Sequence, residues 1–155
     1  MAGTKKAKQI KQREKPSEKG IVQVKEPQQF YSQAPAWSFV NIDKKMWAFS
    51  QEHIGDSFWT EILPRLTSWE TQKWSDILVT ANKQNHSLNL KDLNKVAQDR
   101  LISMYIEAES LISLRITGTH RLYGYMVGRV FTILWYDDNH GDNEKCVCRS
   151  HLKHT

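Results

Sequence analysis

The chain has 155 residues, 39% of them hydrophobic, with six Trp, two Cys and a formal net charge of +5. That length fits one domain, and that composition can bury a real core. No run of 18 apolar residues occurs, which excludes a membrane-spanning helix. The basic N-terminus lacks the apolar stretch of a secretory signal, and Cys146-Val-Cys148 does not make a disulfide framework. A reduced, cytoplasmic setting with no membrane partner is the expectation.

Residues 1–28 hold eight Lys/Arg against three Glu, while the remainder carries 14 basic and 14 acidic residues. The whole surplus therefore sits in the first 28 residues. Such a block reads as a disordered basic tail, with Val22 and Val24 able to form a short strand. It either adds salt-sensitive affinity for nucleic acid or only solubilises the chain. Residues 29–155 then form a single domain.

From Phe30 the composition turns aromatic. Trp37 to Ile42 alternates as a strand, and Met46–Phe49 reads as a second short one. Trp37 looks free for a surface role, the other five Trp being packing. Ile54, Phe58, Ile62 and Leu66 share one helical face, with Pro64 expected to kink or end that helix. Thr67-Ser-Trp-Glu70 has the form of a capping box, ahead of a face of Trp74, Ile77, Leu78 and Ala81. Asn82 to Ser87 reads as a polar loop. Asn89 caps a helix over 90–104, whose stripe is Leu93, Val96, Ala97, Leu101, Met104 and Tyr105.

Near residue 110 the period changes to two. Ile112, Leu114 and Ile116 alternate with polar residues. Turns at Thr117–His120 and Val127–Arg129 make a three-strand meander ending at Tyr136, and Lys145 to Arg149 reads as a fourth strand. The fold class is α+β: N-terminal helices packed on a C-terminal antiparallel β-meander.

The polar groups that can do chemistry gather in this last quarter. Arg121, Tyr123 and Tyr125 alternate to one face, while Leu122, Gly124 and Met126 would face the helices. Arg and aromatic rings on one face grip phosphates and stack bases; ordinary β-propensity explains the same tyrosines. Arg115 flanks the same turn. His120, Arg129, Lys145, Arg149 and Lys153 complete a set of RNA-binding candidates. His140 ends an apolar strand, where it suits acid–base work, with Asp137 to orient its ring. The run Asp137 to Asn143 is equally a good turn sequence. His140, Cys146, Cys148, His151 and His154 offer enough ligands for one zinc, but their spacing matches no standard finger. No metal and no cofactor is expected.

Arg121-Leu-Tyr-Gly124, Val130-Phe131 and Leu134-Trp135-x-Asp137-x-x-His140 resemble a C-terminal pattern of small bacterial toxin–antitoxin proteins. More broadly, helices followed by an Arg-bearing meander resemble the RelE/ParE superfamily. The resemblance spans Ile112 to Arg149. It implies a small sheet packed on N-terminal helices. Ribonuclease members of that superfamily cut messenger RNA on the ribosome, using scattered Arg, Lys, His and Tyr without metal. The resemblance also implies an antitoxin partner. This chain departs from the family in its long N-terminal extension and longer helices, so only Arg121, His140 and Tyr123 carry over. The expected function is a toxin-like, RNA-binding, metal-independent endoribonuclease, with His140, Arg121, Tyr123 and Asp137 catalytic. The alternative is a non-catalytic protein-interaction or nucleic-acid-binding module.

Overall fold

The meander expected from the change of period forms, and it organises the rest of the chain. The computed structural model describes residues 22–23, 28–142 and 145–149. Most of the basic segment 1–28, with His151, Lys153 and His154, lies outside these. The central strands are β5 (Ser110–Thr117), β6 (His120–Val127) and β7 (Val130–Asp137). Ile112 stands opposite Gly124, and Arg115 opposite Arg121. Two short strands extend the sheet. β2 (Ala36–Ser38) runs parallel to β7, and β3 (His86–Asn89) runs antiparallel to β5, giving the order β2-β7-β6-β5-β3. Separately, β1 (Val22–Gln23) pairs with β4 (Ile106–Glu107). The protein is thus α+β, with a five-stranded, mostly antiparallel sheet and a few helices.

Side-chain alternation sends each strand's residues to two faces, and both faces are covered. On one, Ile112, Leu114, Leu122, Met126 and Phe131 pack against Ile62, Leu66, Trp69, Trp74 and Ile77. On the other, Leu111, Tyr123, Tyr125, Leu134 and Trp135 pack against Leu93, Ala97, Leu101 and the segment Cys146–Cys148. This corrects the solvent-facing reading of the tyrosines. Tyr123 is 0% and Tyr125 2% exposed. The apolar stripe of residues 93–101 needs a partner, and burying a large side chain is worth roughly 2 kcal/mol. The tyrosine face supplies it.

A bulge between Tyr123 and Gly124 brings β7 close to the β6 backbone. A Cβ at Gly124 would lie 2.2 Å from the Thr132 carbonyl oxygen. Only glycine fits there.

Several boundaries differ from the periodicity. The first helical run breaks at Gly55, not Pro64. Gly55 takes φ 59 and closes α1 (Gln51–Ile54), a conformation costly for any residue with a Cβ. A π-type turn (Phe58–Ile62) leads into α2 (Leu63–Trp69), where Pro64 sits harmlessly in the first turn. Thr67 and Ser68 are inside α2, so the expected capping box caps nothing; Thr67 Oγ1 donates back to Pro64 O. A further π-type turn spans Asp76–Thr80. The cap of α3 (Lys95–Ser103) is Asn94, not Asn89: its side chain accepts from Val96 N at 2.9 Å. Met46–Phe49 is not a strand, and of Lys145–Arg149 only Cys148 bridges, to Leu93. Trp37 is not a surface ring. It packs between Trp69, Trp74 and Phe131, while Trp59 is the exposed one, at 65%.

Candidate functional site

The turn end of the β5–β6 hairpin gathers several of the residues singled out from sequence. Arg121, Tyr123 and His140 line one cleft, joined by Lys83, His86, Ser113 and Cys148. Strand β6 fixes Arg121 and Tyr123 on one face, because they are two residues apart. Arg115 is brought beside Arg121 by the β5–β6 register. His140 follows β7, and its main-chain N–H donates to Thr119 O at 3.1 Å, which pins the loop to the hairpin tip. The cleft is small, with about 10 Å³ of inner space, room for about one water. A ligand therefore meets its mouth.

The cleft is cationic. Burial, then the Arg115 charge, pulls the Arg121 pKa below its ordinary value. Arg121 Nη1 donates to the Gly118 and His120 carbonyls at 2.6 and 3.2 Å. Among the described residues, none of Arg115, Arg121 and Lys83 makes an ion pair with a carboxylate. Burial lowers the His86 pKa, a bond to the Asn82 backbone opposes it, and the Arg121 charge adds to the lowering. Close like charges favour an anionic guest, since an anion relieves their repulsion.

The remaining candidates are placed as follows. Asp137 is buried beneath the cleft, where Asn139 N and Val147 N donate to its two oxygens at 2.8 Å each. Burial raises its pKa to about 6 against those two bonds. Tyr123 is fully buried, and burial pushes its pKa well above the ordinary phenol value. Its hydroxyl lies beside Ser113 and Cys148 without a hydrogen bond of ordinary geometry among the described residues. It can support the cleft floor but cannot stack on a base. His140 Nδ1 lies 3.7 Å from Cys148 Sγ, which in turn lies 3.7 Å from Cys146 Sγ. Burial, then Cys146, pushes the Cys148 thiol up to about 12, so it stays protonated and unreactive. Among the described residues no group of three His, Cys, Asp or Glu is placed to hold a metal.

His120, Arg129, Lys145 and Arg149 do not join the cleft. Arg129 sits at the opposite hairpin turn, donating to Ala34 O at 3.1 Å. Lys145 and Arg149 are exposed on the C-terminal segment. His120 points to the other face of the sheet, where its Nδ1 meets Tyr136 Oη at 2.7 Å and Glu61 Oε1 at 3.0 Å. His53 flanks the same Tyr136 ring and meets Asp138 at 3.3 Å. Burial and the Glu61 charge raise the Tyr136 pKa. This second cluster carries two carboxylates and no Arg or Lys among these contacts, so it does not suit a phosphate.

Sequence reasoning missed Lys83 and His86. Both fall where a polar loop was expected, and β3 buries only Leu88, too little alternation to signal a strand. No protein-family model, curated protein or solved structure matches the chain. No helix among the described residues is long and apolar enough to cross a membrane.

Proposed function

We propose that this protein binds RNA through the Arg115–Arg121 cleft and cleaves it without metal, as a cytoplasmic toxin of RelE/ParE type restrained by an antitoxin protein. The observation that carries the reading is the convergence of Arg121, His140 and His86 on one cleft beside Arg115. The strand-end motif around Asp137 and His140 supports the family assignment.

Cleavage runs by attack of the ribose 2′-oxygen on the adjacent phosphorus. One imidazole takes the 2′-hydroxyl proton. The O2′–P bond forms as the P–O5′ bond breaks, and the second imidazole gives its proton to the leaving O5′. A lowered pKa suits His86 to the base role, which leaves His140 as the acid. Arg121 and Arg115 hold the charge that builds on the non-bridging oxygens. Asp137 and Tyr123 act from below, holding the C-terminal segment and the floor.

The small interior of the cleft favours a second reading, a module that binds phosphate without cutting. Total RNA incubated with the protein, with and without EDTA, tests between them. Cleavage indifferent to EDTA and weakened in His140→Ala and His86→Ala supports the enzyme. Salt-sensitive binding with no cleavage leaves the module.

A further inference from the structure

We propose that the groove between Phe39–Lys45 and the C-terminal end of α3 binds a nucleoside phosphate, either a free nucleotide or one nucleotide of an RNA strand. This does not depend on cleavage at the Arg121 cleft. The groove encloses about 430 Å³, within the span of roughly 300–1,000 Å³ usual for small-ligand sites.

Its floor is built rigidly. The buried Asp43 carboxylate accepts from Lys45 N and Met46 N at 2.9 and 3.2 Å, from Arg100 at 2.7 and 2.8 Å, and from Trp135 Nε1 at 2.9 Å. Asp43 and Arg100 cancel each other's charge. Lys44 and Lys45 are exposed, and neither is ion-paired among the described residues. The groove therefore keeps two positive charges at its rim.

Its apolar side comes from Phe39, Ile42, Met104 and Tyr105, with Phe39 left 42% exposed. Tyr105 holds φ 59, a left-handed conformation that L residues other than Gly, Asn and Asp seldom adopt. Tyr105 lies just past the C-cap of α3, where a left-handed step commonly ends a helix, and it lines the groove. A flat apolar body suits the aromatic side, and a compact dianion suits two lysines. An acidic peptide would meet the same lysines but has no need of the aromatic side.

Titration calorimetry on the full chain carrying Arg121→Ala, which disables the other cleft, tests the proposal. The probes are adenosine 5′-monophosphate, adenosine, a short oligoadenylate and a Glu-rich peptide. The phosphate-bearing probes should bind more tightly than adenosine. AMP binding identifies a free nucleotide as ligand; binding of the oligonucleotide alone identifies an RNA strand. Adding Lys44→Gln and Lys45→Gln should weaken that binding at least about tenfold, the scale of losing two charged contacts. Tyr105→Gly should weaken it while leaving the melting temperature unchanged or higher, because glycine relieves the strained φ. The proposal is overturned by no binding at millimolar probe, by adenosine binding as well as AMP, by indifference to the lysines or to Tyr105, or by the peptide binding best.

Discussion

Removing the Asp43 carboxylate should be among the most damaging single changes in the molecule. The side chain is buried and holds five hydrogen bonds, two of them from Arg100. Asp43→Ala leaves the Trp135 indole N–H and two backbone N–H groups without their acceptor, and strips Arg100 of its counter-charge. Breaking a buried ion pair from one side costs roughly 3–5 kcal/mol. At about 3 °C per kcal/mol for a domain of this size, the melting temperature should fall by about 12 °C. Arg100→Ala should cost roughly half as much, since Asp43 keeps three donors and Arg100 is partly exposed. The pH dependence has a definite sign. Burial works to raise the Asp43 pKa, but its bonds to Arg100, Lys45, Trp135 and Met46 together hold it below the ordinary 3.8. Its stabilisation is therefore complete above about pH 4 and is lost as the pH falls through the lowered value. Thermal melts of the parent and both variants from pH 3 to pH 8 measure this. A drop below about 3 °C for Asp43→Ala at pH 7, or equal losses in the two variants, would refute the reasoning.

Gly124→Ala forces a Cβ against the Thr132 carbonyl, so it should destabilise by about 3 kcal/mol or prevent folding; circular dichroism and a denaturant melt decide. Asp137 works in the opposite sense to Asp43. Its pKa is raised from 3.8 to about 6, so its favourable contribution is complete below pH 4 and lost as the pH climbs through 6. That shift corresponds to roughly 3 kcal/mol, and Asp137→Asn should flatten the stability profile across that window. A profile as steep as the parent's would contradict it. Arg115→Ala and Arg121→Ala should each lower the slope of RNA affinity against salt by about one counterion. Unchanged slopes would remove both from the interface. Deleting residues 1–21 should lower that slope further while moving the melting temperature little.

The meander was legible because its three strands are long and adjacent, open with the alternation of Ile112, Leu114 and Ile116, and close through Gly-containing turns. The covering of its second face was not. Period two says that Tyr123 and Tyr125 share a face; it does not say whether water or α3 meets that face. The stripe Leu93, Ala97 and Leu101 held the missing information, since it had to pack on something. The N-terminal half was misread where long-range bonds decide the backbone. Met46–Phe49 follows a loop set by the Asp43 carboxylate, whose partners lie 57 and 92 residues away. The cleft was legible in part. Arg121, Arg115 and His140 follow from strand register and strand end, but His86 reaches them only through β3, a strand with one buried residue, and Lys83 through the turn before it. His120 was counted with Arg121 among the RNA-binding candidates, but adjacency along a strand sends the two to opposite faces.

The central proposal is that the cleft cuts RNA by acid–base-assisted transfer of the phosphoryl group from the 5′-oxygen to the 2′-oxygen. The most direct measurement is end-group analysis of a defined RNA oligonucleotide after incubation with the protein in EDTA. The account predicts products ending in 2′,3′-cyclic phosphate and 5′-hydroxyl, formed roughly tenfold to a hundredfold more slowly by His140→Ala and by Arg121→Ala at unchanged melting temperature. Products ending in 5′-phosphate, or equal rates from the parent and both variants, would contradict it.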